Sequence, residues 1–165
     1  MVLYDDVVGV KEPYINCNRL SEYKPISKTH KVKPKILIVA DSHGRNFSEA
    51  IKKACGTDSY DVVTIFKPNA GLDDVVVDLD SLAADYSRED CVVVLGGSNN
   101  ALRNGKINLS KLQSIKRVSC FTNVLLVSTP YWPGSFDLNK CIYNFNQLVF
   151  EKIVRDNDVK YVDCN

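Results

Sequence analysis

Five short apolar runs, rich in β-branched residues, recur along the chain and limit what it can become: Ile36–Ala40, Val62–Phe66, Cys91–Leu95, Asn123–Ser128 and Lys160–Val162. Each is almost continuously apolar rather than alternating, as expected of strands buried on both faces of a parallel sheet. Helical spacing fills the gaps. Phe47, Ala50, Ile51 and Ala54 follow i, i+3, i+4, i+7, with Asn46 placed as an N-cap and Glu49 three residues on. Leu72, Val75, Val76, Leu79, Leu82, Ala83 and Tyr86 form a second stripe, with Asp73 and Asp74 near its positive end. A shorter helix is expected around Leu109, Leu112 and Ile115, after an Asn104-Gly105 turn. The clearest stripe is the last, Leu138, Cys141, Ile142, Phe145, Leu148, Val149 and Ile153, opened by Asp137.

Alternating strands and helices predict a three-layer α/β/α fold, with a five-stranded parallel sheet and helices on both faces. Right-handed crossovers make 2-1-3-4-5 the natural, flavodoxin-like strand order. A ligand then sits beyond the carboxyl ends of the strands, where the order reverses between strands 1 and 3. The loops at that point are Asp41–Arg45 and Gly96–Asn100, with Lys67–Gly71 alongside. Residues 35–165 are read as the domain and residues 1–34 as a tail or linker. In that tail Lys24, Lys28, Lys31 and Lys33 crowd together, and Pro25 and Pro34 prevent a long helix. It is either a solvated or draped segment, or a docking arm for an acidic protein partner.

Composition excludes several classes. A chain of 165 residues is one domain by size, and its 45% hydrophobic and 25% charged content is that of an ordinary globular protein. A net charge of +1 gives no field that points to nucleic acid or an anionic membrane. No apolar stretch approaches the roughly 18–20 residues of a membrane span, and the start MVLYDDVVGVKEPY lacks a signal peptide's basic and apolar regions. The reading is therefore intracellular. No two of the six cysteines have Cys-x-x-Cys spacing, so free apolar thiols are expected rather than a metal site or a disulfide framework. No cofactor is expected.

Two loops carry residues with chemistry. Strand 1 runs into Ala40-Asp41-Ser42-His43-Gly44-Arg45, and strand 3 into Leu95-Gly96-Gly97-Ser98-Asn99-Asn100. A serine hydroxyl at a strand's end, beside a helix N-terminus, is placed to attack a carbonyl. Backbone N–H groups and a side-chain amide such as Asn99 are placed to stabilise the oxyanion. Taken one at a time, the same residues have blander uses: Ser42 caps a helix and Gly96-Gly97 lets the chain turn. Tyr131-Trp132-Pro133-Gly134 either walls a substrate pocket or packs its own loop, and Arg45 either binds an anionic group or pairs at the surface.

Ala-Asp-Ser-His resembles the Gly-Asp-Ser-Leu/His block that carries the nucleophile of SGNH (GDSL-type) hydrolases, and Gly97-Ser98-Asn99-Asn100 is similar to their Gly-x-Asn-Asp block. Pro68-Asn69-Ala70-Gly71-Leu72 falls where that family's second block supplies a glycine N–H. The resemblance runs from about Lys35 to the last residue and is closest to short esterase-like domains, including those known from retroelement proteins. It implies Ser42 as nucleophile, Asn99 as oxyanion donor and Gly71 as a further donor, acting on a small ester. Ala40 and Asn100 depart from the family's glycine and aspartate. Asn69 is an alternative occupant of the second-block glycine's place, which leaves Gly71 displaced by two residues. The family's Asp-x-x-His block follows strand 5, whereas this sequence closes on Tyr161-Val162-Asp163-Cys164-Asn165. An Asp163-x-x-His arrangement needs a histidine one position further on. His30 precedes strand 1, near the opposite end of the sheet, and His43, beside Ser42, is expected to pack in the loop or to hydrogen-bond locally.

The expectation is thus a serine-esterase-like domain, impaired or C-terminally incomplete. Two alternatives stand beside it. One is a non-catalytic binding module on the same fold. The other is a flavodoxin-like phosphate or cofactor binder, with Ser42-His43-Gly44-Arg45-Asn46 cradling the phosphate.

Overall fold

A computed structural model describes residues 33–56 and 59–165. The Lys-rich arm up to Lys31, Cys17 and His30 lie outside the described residues. The five apolar runs become β1 (Lys35–Ala40), β2 (Asp61–Phe66), β3 (Cys91–Leu95), β4 (Asn123–Val127) and β5 (Val159–Val162). They form one parallel sheet in the order β2-β1-β3-β4-β5, as the crossover rule requires. Register brings the carboxyl ends level: Ala40 lies opposite both Phe66 and Leu95, Leu95 opposite Val127, and Val127 opposite Val162. Loops leaving these five ends therefore share one rim. Lys33–Asn165 is a single unit by its internal contacts.

Strand alternation divides the core between the two faces of the sheet. Leu37, Val39, Val92, Val94, Val124 and Leu126 point to one face. Over it pack α2 (Leu72–Val75), α3 (Leu79–Leu82), α5 (Gln113–Ser119) and α6 (Phe136–Val149), through Val75, Leu79, Ile115, Val118, Phe145 and Val149. Ile38, Ala40, Val62 and Leu95 point to the other face, where Ile51 of α1 (Phe47–Cys55) meets them. β2 is an edge strand, and of its residues only Val62 is buried.

Several local expectations change. The stripe from Leu72 to Tyr86 is broken into α2 and α3 rather than forming one helix. A continuous helix would pair the Asp74 carbonyl with the Asp78 N–H, but that carbonyl accepts from Lys67 Nζ at 3.0 Å. Its apolar side still closes the core, with Leu72, Val75, Val76, Leu79 and Ala83 at most 1% exposed. Asn46 does precede α1, but its φ of 69° is left-handed and its side chain makes no cap. Asparagine tolerates that conformation, so the residue serves as a turn instead. α5 begins at Gln113, and Leu109 precedes it. α6 follows Ser135, with Asp137 inside its first turn, and continues as a π-helical turn over Phe150–Val154. The Asn104-Gly105 turn is present, with φ of 59° and 71°. The five described cysteines are free thiols, and no described helix is long and apolar enough to cross a membrane.

Candidate active site

β1 ends by turning over its own tail. Asp41 donates its N–H to the Leu95 carbonyl at 3.1 Å, which ties the end of β1 to the end of β3. The chain then winds into a 3-10 turn over Ser42–Gly44. The turn is set by Asp41, whose Oδ1 accepts from the His43 N–H at 3.0 Å. It is closed by the Gly44 N–H on the Asp41 carbonyl at 3.1 Å. Gly44 is obligatory, because a Cβ there would stand 2.2 Å from Ala40 Cβ. The alanine at position 40 is thus accommodated by a glycine four residues on. Ser42 is exposed at the apex of this turn.

Asp41 is fully buried, and its Oδ2 has no hydrogen-bond partner. Its Oδ1 also lies 2.9 Å from His43 Nδ1. A carboxylate only accepts, so Nδ1 is the donor in this contact. The expected local bonding of His43 is therefore to Asp41. No hydrogen bond joins Ser42 Oγ to His43 or to any other described residue.

The β3 loop is positioned by distant partners. Gly97 has φ of +120°, and a Cβ there would lie 2.3 Å from the Phe145 ring and 2.4 Å from Thr129 Oγ1. Both the backbone angle and the close approach demand glycine. Thr129 Oγ1 donates to the Gly96 carbonyl at 2.9 Å, and Asn146 of α6 binds the Thr129 N–H and carbonyl, each at 2.9 Å. The chain then forms a short helix, α4 (Ser98–Leu102), which sequence spacing did not signal.

Two neighbouring asparagines on α4 are used differently. Asn100 is 3% exposed and fully engaged: Oδ1 accepts from the Leu72 N–H at 2.6 Å, and Nδ2 donates to Asp73 Oδ1 at 3.0 Å and the Lys106 carbonyl at 2.8 Å. An aspartate here would set its carboxylate against that of Asp73 and a carbonyl. Sequence reasoning singled out Asn100 but not this structural role, which depends on Leu72, Asp73 and Lys106. Asn99 is half-buried and donates once, from Nδ2 to the Ala70 carbonyl at 2.9 Å. A primary amide nitrogen carries two N–H groups, so one remains for a ligand.

The three loops therefore meet: β1's through Asp41 and Leu95, β2's through Ala70 and Leu72, and β3's through Asn99 and Asn100. Gly71 has a packing reason to be glycine, since its Cβ would lie 2.8 Å from Asn100 Nδ2. A trans peptide sets the Ala70 carbonyl and the Gly71 N–H on opposite sides, so Asn99 and Gly71 face opposite sides of that bond. Asn69 has φ of 60°, the left-handed conformation that glycine adopts freely. Arg45 lies over the Phe66 ring, 5.8 Å from its centroid. A phosphate cradle finds little here, because the His43, Gly44 and Arg45 N–H groups are all spent on Asp41 and Ser42.

No protein-family model matches the sequence, and no curated protein sequence matches it. Solved structures match in fold. The psychrotrophic esterase EstA from Pseudoalteromonas sp., inhibited by monoethylphosphonate, superposes with a TM-score of 0.55 at 16% identity, over 79% of this chain and 77% of that one. An extracellular lipase from Streptomyces rimosus gives 0.57 at 12% identity, over 80% of each chain. A variant of AlinE4, an SGNH-hydrolase family esterase, gives 0.51 at 13%, over 79% of this chain and 75% of that one. The fold is that of SGNH-hydrolase esterases and lipases.

Proposed function

We propose that the rim at the ends of β1 and β3 is a carboxylic-ester site with Ser42 as nucleophile and Asn99 as oxyanion donor. The observation that carries this reading is that an exposed, unbonded Ser42 on a tight turn and an Asn99 with one N–H to spare lie on loops leaving the neighbouring strands β1 and β3. Ser42 Oγ would form a bond to the ester carbonyl carbon, and the carbonyl oxygen would take the charge. Asn99 Nδ2 and the Ser42 backbone N–H are the donors proposed for that oxygen, each of the kind whose loss costs about 100–1000-fold elsewhere. Collapse then breaks the carbon–oxygen bond to the alcohol, which leaves with the Ser42 hydroxyl proton passed to it through solvent, and an acyl-serine remains for water to cleave. Gly71 is assigned to packing around Asn100 rather than to this hole.

The weak element is proton transfer. The ring of His43 is tethered to Asp41, and Ser42 Oγ has no hydrogen bond to it. General-base assistance is typically worth about 100–10,000-fold, so these residues alone support slow turnover. Cleavage of p-nitrophenyl acetate, compared with Ser42→Ala, tests the reading. Slow release of p-nitrophenol that vanishes in the variant supports it, and equal rates in both overturn it.

A second reading, a binding module on the same fold, draws on Ser42 Oγ, which has no hydrogen bond to His43 or to any other described base. On that reading esters bind at the rim without being cleaved. A protein partner for the Lys-rich arm remains a separate proposal that no described residue supports.

A further inference from the structure

At the carboxyl ends of β4 and β5, beside α6, lies a cavity of about 330 Å³ that the ester reading leaves unused. Its walls include Tyr131, Tyr143, Phe150 and Tyr161, with Asp163 at the rim and Gln147 on α6. Phe150 and Tyr161 brace one another edge to face, with centroids 5.3 Å apart and planes at 71°. No lysine or arginine is among the residues that line it.

The polar groups there are mostly committed. Asn146 spends its amide on both sides of Thr129. Asn165 Oδ1 accepts from the Tyr131 N–H, and its Nδ2 is shared among Ser128 Oγ, the Thr129 carbonyl and Asp163 Oδ1. An anion would thus find no charged donor. Asp163 Oδ1 takes hydrogen bonds from Ser128 Oγ and from the Asn165 N–H and amide, and those bonds hold the carboxyl below its usual range. No described group bonds Oδ2. Burial raises the Tyr161 phenol, which keeps it neutral.

We infer that this aromatic cavity binds a small organic cation, a quaternary ammonium group or its guanidinium equivalent, against the tyrosine faces and the Asp163 carboxylate. Aromatic rings attract a cation through their quadrupoles, and a nearby carboxylate completes the match in charge. The cavity stands at the small end of the range for ligand pockets, so the cation and a short tail would fill it. This inference does not depend on Ser42 or on ester cleavage.

Calorimetric titration of the full chain tests it, with choline chloride as the probe and 3,3-dimethylbutan-1-ol as its uncharged match in shape. Choline is expected to bind at least about fivefold more tightly than the alcohol, the scale of an exposed cation–π contact. Tyr143→Leu should lose about fivefold for choline with an unchanged melting temperature, since Tyr143 is 53% exposed. Asp163→Asn should weaken choline and leave the alcohol as it was. Equal binding of the two probes, no binding of choline, binding of methyl glucoside in its place, or full affinity in a folded Tyr143→Leu variant would each overturn the assignment.

Discussion

The two ends of the sheet use the same kinds of residue to opposite effect. At the amino end Asp90, 6% exposed, accepts from the Lys35 N–H at 2.7 Å and from the Ser87 N–H and Oγ at 2.8 and 3.0 Å. Its carbonyl takes Thr122 Oγ1 and Asn123 Nδ2, so one residue ties the starts of β1, β3 and β4 together. Arg88 reaches on to Asp158, just before β5. At the carboxyl end an equally buried Asp41 leaves Oδ2 unbonded, Ser42 stands exposed, and Asn99 keeps a donor in reserve. Hydrogen-bonding capacity consumed at one end is left available at the other. Buried polar groups are ordinarily satisfied, and the two unbonded ones among the described residues are Asp41 Oδ2 at this end and Thr64 Oγ1 within β2.

This contrast predicts separable effects. The largest falls on chemistry: Ser42→Ala should abolish serine-dependent ester cleavage while the melting temperature stays put, since its side chain bonds nothing. A melting-curve shift in that variant would break the comparison. Asn100→Asp should cost about 3 kcal/mol in denaturant unfolding, because it sets a buried carboxylate beside Asp73. Asp90→Ala should cost about 2 kcal/mol and leave the activity of the folded fraction intact.

Asp90 also carries a pH signature. Burial opposes its charge, but the Lys35 and Ser87 hydrogen bonds and the Lys35 charge outweigh burial and hold its carboxyl below the usual carboxylate range. A carboxyl lowered in the fold stabilises it above the unfolded value, and that gain is lost as pH falls through the lowered value. The melting temperature of the parent should therefore drop more on acidification than that of Asp90→Ala. The smallest effect belongs to His43→Ala, at about 1 kcal/mol in the same unfolding assay. The partly exposed ring gives up one bond to Asp41, while the backbone bond to Oδ1 stays.

Much of this was legible in the chain itself. Continuous β-branched runs place all five strands, and the crossover rule orders them, because burial on both faces leaves little freedom. The meeting of the Ser42 and Asn99 loops follows from that order. What sequence concealed depends on partners distant in the chain. The break between α2 and α3 turns on Lys67 capturing a carbonyl, and the role of Asn100 turns on Leu72, Asp73 and Lys106. Local reasoning also misjudged Asn46, whose side chain can cap a helix but whose backbone here takes a left-handed turn. For Gly71 a functional and a packing reason look alike in one sequence, and the Cβ geometry supplies the packing one.

The central claim is that Ser42 is a competent nucleophile on an open rim. Incubation with a p-nitrophenyl ethylphosphonate ester, followed by intact-mass and peptide analysis, tests it without requiring full turnover. The Ser42 oxygen would bond phosphorus and p-nitrophenolate would leave. The account predicts one phosphonyl adduct on the peptide containing Ser42, absent from Ser42→Ala. An unmodified protein after incubation prolonged about 100–10,000-fold beyond what labels a base-assisted serine esterase, or an adduct elsewhere that persists in Ser42→Ala, would contradict it.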